Sequence, residues 1–545
     1  MAESPSVAQM VLHALGNAGS QIVFGLPGAH NLAFWRPSPG LDTPRLVNVR
    51  HEQTAVYAAD GWARSTGRLG AAVVTTGPGA ANTLAAFGEA SMSGSALVLV
   101  ASEVPLRVTA AGLRRTLHQS KDQAAMFRSL AKAVFTPRSA REVAQDIGTA
   151  IATALDPPWG PVYMDIPADV LRAAAVEAPV LAPPVPRAVD EAALAAAAGL
   201  VNSAGSVAIW AGGGVVDAEA AGDLASLAFH LQAPVFTTFS SRGLLSPTDL
   251  CNVCLPPHEP EVEELLGRAD LLIAVGTDFD GMMTKDARLT LPPTIVDINV
   301  DMERMSFGYD GVVPVLGDAK RALEFLLKAT DKRQVGLIAG VGDVKAAVWS
   351  RLGSDPRTSD ARTFVECVER TVAGTAVVVN DMTVPGYWLG NYYQPHQGRT
   401  VQYPVGWGTL GYALPASVGA AFGSDGPVLA VCGDGGFMFA VGELATIAQE
   451  RLPVTVLLVN DGGYGMLRYD PRHTGEPQPG ADLAGPDFVQ LATAFGIPAT
   501  HVTGVGLPLE KALGRALASY EPHVVVCDAS LFPPKTTSPR WEEGG

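Results

Sequence analysis

Asp434 and Asp461 stand in glycine-rich turns, each after an uncharged run rich in β-branched residues, and that placement suits the binding of a small hard cation. Carboxylates, a backbone carbonyl, water and phosphate oxygens together complete the octahedron such a cation requires. Val428 to Cys432 reads as a buried strand, Gly433-Asp434-Gly435 as the turn at its end, and Phe437 to Glu450 as a helix with one apolar face. A second strand, Val454 to Val459, ends in a loop offering Asn460, Asp461 and the carbonyl of Gly463. The glycines let the backbone approach phosphate oxygens closely, and the N-terminus of the following helix favours their charge. The pattern points to an anionic cofactor held through a divalent metal.

Another acid of interest stands far upstream. Glu52, within Val49-Arg50-His51-Glu52-Gln53, follows a short apolar strand and opens an alanine-rich helix. Taken alone it reads as a helix N-terminal acid, a contribution of a few tenths of a kcal/mol. Beside a bound cofactor it would be suited to proton transfer.

A resemblance gives the two halves a common meaning. Gly433-Asp434-Gly435, then 24 residues, then Asn460-Asp461-Gly462-Gly463-Tyr464-Gly465 resembles the thiamine diphosphate fingerprint of the acetolactate synthase, pyruvate decarboxylase and benzaldehyde lyase superfamily. Phe24 to Gly28 is similar to its first active-site loop, Thr76 to Asn82 to its second, and Gly160-Pro161-Val162 with Asp165-Ile166-Pro167 to the strand closing its N-terminal domain. The likeness extends over nearly the whole chain. It implies that Gly28, Gly77, Gly433, Gly435, Gly436, Gly463 and Tyr464 contact the cofactor. It also implies that Asp434, Asp461 and the Gly463 carbonyl hold magnesium, with Asn460 as the alternative ligand. Gly408 would offer its carbonyl to the aminopyrimidine amine, and Leu410 would bend the cofactor so that a pyrimidine nitrogen meets the thiazolium C2. Glu52 takes the place of the activating glutamate, whose hydrogen bond to the pyrimidine promotes the tautomer that removes the C2 proton. In the superfamily the cofactor lies between the first domain of one subunit and the third of another. A homodimer is therefore the implied minimum and a homotetramer the expected assembly.

Composition agrees with a large α/β enzyme. At 545 residues the chain exceeds one hydrophobic core, and about three domains of typical size are expected. Hydrophobic residues make up 48% and charged residues 17%, and the net charge of −16 argues against nucleic acid or an anionic membrane as partner. The long uncharged runs Leu69–Gly88 and Tyr403–Ser424 are broken by glycine and proline, so neither reads as a membrane span. The N-terminus carries Glu3 and lacks a basic stretch before an apolar one, and a cytoplasmic location is the expectation. Five scattered cysteines do not form a disulfide framework, and Cys251, Cys254 and His258 lack the second cysteine pair that would complete a zinc site.

The proline-rich stretch Val176–Asp190 marks a first boundary, and the weak periodicity of Lys332–Asp360 suggests a second. The reading is three doubly wound parallel-sheet domains: pyrimidine-binding (1–178), central (190–330) and diphosphate- and magnesium-binding (358–545). In the central part, Val207–Trp210, Pro234–Thr238, Leu271–Gly276 and Thr294–Asn299 read as short buried strands. Gly212-Gly213-Gly214 follows the first of these but lacks the spacing of a dinucleotide turn. Flavin, which some relatives bind in this domain, is not expected.

Around C2, relatives place residues from the Pro27–Asn31 loop and from Leu117–Asp122. The sequence Gly28-Ala29-His30 resembles that of benzaldehyde lyase, as does Leu117-His118-Gln119-Ser120-Lys121-Asp122-Gln123 with His118 in place of a glutamine. His30, His118 and Gln119 thus join Glu52 as catalytic candidates, the histidines suited to moving protons near neutral pH. The resemblance implies a carboligase or lyase acting on a 2-oxo acid or 2-hydroxy ketone through a C2 carbanion, with an aldehyde or ketone as second substrate. A non-oxidative 2-oxo acid decarboxylase is the alternative. A third reading, a 2-hydroxyacyl-CoA lyase or oxalyl-CoA decarboxylase relative, would use Arg468, Arg472 and His473 for phosphates.

Overall fold

The computed structural model describes residues 4–37, 40–113, 115–176, 187–305, 308–469 and 479–534. Short runs of valine, isoleucine, leucine and alanine, buried on both faces in the central strands, alternate with helices and form three wholly parallel sheets, as such uninterrupted apolar strands favour. The first contains β1 (Ile22–Gly25), β2 (Arg45–Asn48), β3 (Gly70–Val74), β4 (Leu97–Glu103), β5 (Ala133–Phe135) and β6 (Pro161–Pro167). Their order is β2-β1-β3-β4-β6-β5. The second contains β7 (Val207–Ala211), β8 (Val235–Thr237), β9 (Leu271–Val275), β10 (Thr294–Asn299) and β11 (Val312–Leu316), ordered β11-β10-β9-β7-β8. The third contains β12 (Val377–Asn380), β13 (Val401–Gln402), β14 (Val428–Gly433), β15 (Val454–Asn460), β16 (Ala499–Thr503) and β17 (His523–Asp528). Its order, β13-β12-β14-β15-β17-β16, repeats that of the first sheet strand for strand. In each sheet the chain reverses its direction of winding between the first strand and the third, the switch point where open α/β sheets leave a crevice.

The first and third domains meet along two helices, Glu52–Thr66 and Ala413–Gly423. Small residues make this contact close. A Cβ on Gly419 would lie 1.7 Å from the Ala58 carbonyl oxygen, and one on Gly61 would lie 2.2 Å from that of Ala416. One apolar core consequently runs from Phe24, Val56 and Trp62 through Leu414 to Val456, while a second joins Trp210 and Leu272 of the middle domain to Trp388 and Leu457 of the third.

Two local expectations are corrected. Phe437–Glu450 is not one helix: a short turn at Asp434–Phe437 gives way to Val441–Glu443 and then to the helix Leu444–Glu450. Met438 and Phe439, at the break, are 43% and 54% exposed, while Phe437, Leu444 and Ile447 supply the buried apolar face. Lys332–Asp360 is not a loop but is largely the helix Val341–Ser354, whose burial rests on Val341, Val348 and Leu352 alone, too few to show a clear period. Of the Val176–Asp190 stretch, residues 177–186 lie outside the described residues.

Candidate active site

The first-domain half of the site forms on the loops after β1 and β3. Asn31 clamps the first loop, accepting the Gly28 N–H at 2.6 Å and donating to the Leu26 carbonyl at 3.0 Å. A side chain at Gly28 would strike Thr75. In the second loop Gly77 adopts φ +68°, donates to Gln123 Oε1 at 2.6 Å, and has the His118 carbonyl oxygen where a Cβ would stand, 2.3 Å away. That position tolerates only glycine. Glu52, the first residue of its helix, is 8% exposed, and its Oε2 accepts from Asn82 Nδ2 at 3.0 Å. The helix start is pinned from the third domain, because Glu443 accepts the N–H groups of Arg50 and His51 at 2.9 and 3.1 Å.

His30 and His118 are brought together edge to face, with ring centroids 5.6 Å apart. Burial, and secondarily the neighbouring His118 and Arg172, lowers the pKa of His30, which keeps its imidazole neutral. His118 holds a left-handed backbone, φ +67°, and its Nδ1 is buried without a protein partner. Gln119 turns elsewhere: its amide oxygen accepts the Thr116 N–H at 3.1 Å and its side chain lines a separate cavity.

The third-domain half forms on the loops after β12, β14 and β15, which are neighbours in the sheet. Asp434 is 3% exposed, and its Oδ1 has no hydrogen-bond partner. Burial, with the adjacent Asp461 carboxylate adding to it, pushes Asp434 up to about 6. Burial also raises Asp461, against the pull of Arg468. Each glycine here has a reason. A Cβ on Gly465 would fall 1.9 Å from Asp461 Oδ2, and one on Gly435 would fall 2.7 Å from the Tyr464 ring. Gly463, φ +147°, lies against the Ala481 carbonyl; Gly433 lies against Thr383, and Gly436 near Asp381. Asn460 faces away from Asp434 in its bonding, its Nδ2 donating to Asp528 Oδ1 at 2.8 Å. Arg468 braces the loop by donating to the carbonyls of Asp461 and Gly462 at 3.0 and 2.7 Å and to Asp482 at 2.8 Å. Arg472 and His473 lie outside the described residues.

Three acids that sequence reasoning passed over brace the two halves of the site. Asp381 is buried and accepts N–H groups from Met382 and Gly411, yet burial still raises it to about 6. Glu89 of the first domain accepts the Trp407 N–H at 3.0 Å and the Thr409 hydroxyl at 3.4 Å, fixing the turn in which Gly408 takes φ +74° and Leu410 stays only part-buried. Glu443 is the third. Asp381 had one legible signal, an acid directly after a buried strand; Glu89 and Glu443 sit inside helical patterns and had none.

Two desolvated carboxylates facing each other, one with an orphaned oxygen, fit a divalent cation, and the glycine turns fit diphosphate oxygens beside it. The comparisons with known proteins bear on the cofactor. Residues 5–126, 194–326 and 381–527 match the N-terminal thiamine pyrophosphate binding domain, the central domain and the C-terminal thiamine pyrophosphate binding domain of the thiamine pyrophosphate enzymes. A probable 2-ketoarginine decarboxylase of Pseudomonas aeruginosa is 33% identical over 506 residues, covering 90% of this chain and 88% of the relative.

The chain belongs to the thiamine pyrophosphate enzymes.

The acetolactate synthase large subunit of Corynebacterium glutamicum is 31% identical over 525 residues, covering 91% of this chain and 82% of that one. Among solved structures, a thiamine diphosphate-dependent 4-hydroxybenzoylformate decarboxylase of Rhodococcus jostii superposes with a TM-score of 0.80 at 26% identity, covering 96% of this chain and 99% of that one. As a member of this family the protein is a thiamine diphosphate enzyme that forms or cleaves carbon–carbon bonds. Among the described residues no helix is long and apolar enough to cross a membrane.

Proposed function

We propose that the protein is a magnesium- and thiamine diphosphate-dependent carboligase or lyase whose donor is a 2-oxo acid. The observation that carries the metal part is the facing pair Asp434 and Asp461, with the unpartnered Asp434 oxygen between glycine turns. When bound between the glycine turns, the cofactor would supply an acidic carbon suited to nucleophilic chemistry at the donor carbonyl. Glu52, oriented by Asn82 and by the pinned start of its helix, holds or moves the proton that this activation requires. His30, kept neutral by burial beside His118, receives or returns a proton on the substrate side.

A simple 2-oxo acid decarboxylase is the second reading, supported by the two decarboxylase relatives. The CoA-ester reading loses its main support, because Arg468 is committed to the Asp461 loop and Asp482. The acting unit is a homodimer within a homotetramer; what supports an assembly is the apolar surface left on site elements, with Trp407 50%, Leu117 73% and Leu32 52% exposed. We place the enzyme in the cytoplasm and assign it no flavin.

The test is turnover by purified protein with thiamine diphosphate and magnesium, offering pyruvate, benzoylformate and 2-ketoarginine with and without an aldehyde acceptor. Carbon dioxide release with a hydroxyketone product supports the carboligase, and release with free aldehyde supports the decarboxylase. Glu52→Gln should retain cofactor but slow the reaction ~10²–10⁴-fold. Wild-type deuterium exchange at C2 in that variant would assign activation to another acid.

A further inference from the structure

The first domain contains a cavity of about 440 Å³ that is separate from the histidine pair: neither His30, His118 nor Glu52 lines it. It opens at the carboxyl ends of β4 and β6, where the chain's order doubles back a second time because β6 inserts between β4 and β5. Its acids lie mostly inside and its cations outside. Asp165, 1% exposed, and Glu103 close the inner side with Gln123 and Thr136; Lys121, Arg128 and Arg138 stand exposed at the rim, where Arg128 pairs with Asp122 at 3.5 Å. Among the described residues the inner acids are under-compensated: Asp165 has one long contact, Arg138 Nη1 at 3.5 Å, and Glu103 takes its neighbour's N–H and a 3.4 Å bond from Thr76. Burial raises both carboxyls, Asp165 to about 7.

We infer that this cavity binds a small zwitterion, an amino acid whose ammonium group meets Asp165 and Glu103 and whose carboxylate meets the Lys121, Arg128 and Arg138 rim. Occupancy reaches the active site through shared side chains. Glu103 and Gln123 wall the cavity and also hold Thr76, while Gln123 holds Gly77 in the loop that ends at Asn82, the partner of Glu52. Binding therefore tightens the Thr76–Asn82 loop.

Two isomers separate the amine positions: L-norvaline carries it on the α carbon and 5-aminopentanoate at the far end. Each is titrated calorimetrically into protein saturated with thiamine diphosphate and magnesium, and into protein without them, with agmatine and glutarate as probes of each charge alone. One isomer should bind at one site per chain, at least tenfold tighter than agmatine or glutarate, whether or not the cofactor is present. Asp165→Asn should weaken it at least tenfold. Lys121→Glu, on the exposed rim where folding is not at stake, should weaken it about fivefold while sparing agmatine. Slower amide exchange across residues 76–82 on binding would carry the coupling, and unchanged exchange would remove it. Binding by neither isomer, or equal binding to wild type and both variants, overturns the site.

Discussion

The middle and third domains place glycines at the same topological position and use them for opposite ends. In the middle domain the loops after β7 and β9 close on each other: a Cβ on Gly212 would sit 2.2 Å from the Gly276 carbonyl oxygen, and Gly214 and Gly276 touch backbone to backbone. The switch-point crevice is filled by main chain. In the third domain the loops after β12 and β14 meet only through side chains, Gly433 against Thr383 and Gly436 near Asp381, and the glycines there flank a buried acid with an unpartnered oxygen. Glycine after a strand thus marks only close approach, and the neighbouring unsatisfied charge tells which partner approaches.

The sharpest break of this contrast is Asp434→Ala. It should abolish cofactor retention through dialysis and remove the stabilisation by added thiamine diphosphate and magnesium, about 2.7 kcal/mol at a ligand concentration a hundred times Kd, read as the loss of a Tm shift. An unchanged cofactor content would end the ligand role. Gly212→Ala should destabilise by roughly 1–3 kcal/mol through overpacking against the Gly276 loop, equally with and without cofactor, as denaturant melts would show. A cofactor-dependent effect would mean that the middle crevice binds something.

The pH response is subtler. Because Asp434 is raised from 3.8 to about 6 in the folded protein, its protonated form favours folding. Its contribution to the apo-protein is present below pH 4 and is lost as pH climbs through 6. The difference in stability between wild type and Asp434→Asn should change over that window, and magnesium with the cofactor should suppress the change. A flat difference would show that Asp434 is not strained by its surroundings. Smallest should be Arg468→Ala, which frees the Asp461 and Gly462 carbonyls and should weaken magnesium several-fold, with its pH dependence moved upward because the pull that holds Asp461 down is gone, measured by metal titration.

Much of this was legible in the residues. The valine-rich strands and the acids that follow them were readable because a buried parallel strand is mostly apolar and an acid within one, such as Asp165 in β6, is the exception. Val454–Asn460 is such an apolar strand. The broken segment after Phe437 was not readable, since Met438 and Phe439 look like core and are surface. Nor was the work of Glu89 and Glu443, whose meaning lies in N–H groups of Trp407 and Arg50, some 320 and 390 residues away. Local pattern carries element type; contacts over such separations are fixed only when helices from different domains pack.

The crossing of Glu52–Thr66 with Ala413–Gly423 also bears on the order in which the molecule is made. The alanine and glycine face of the earlier helix has no partner until about 350 further residues have been synthesised. At ribosomal rates of roughly 5–20 residues per second that is an interval of about 20–70 s. For that time the nascent chain carries a bare apolar stripe next to Glu52, the residue proposed for proton transfer, so a chaperone that shelters it should raise the yield of active enzyme more than one that acts after release.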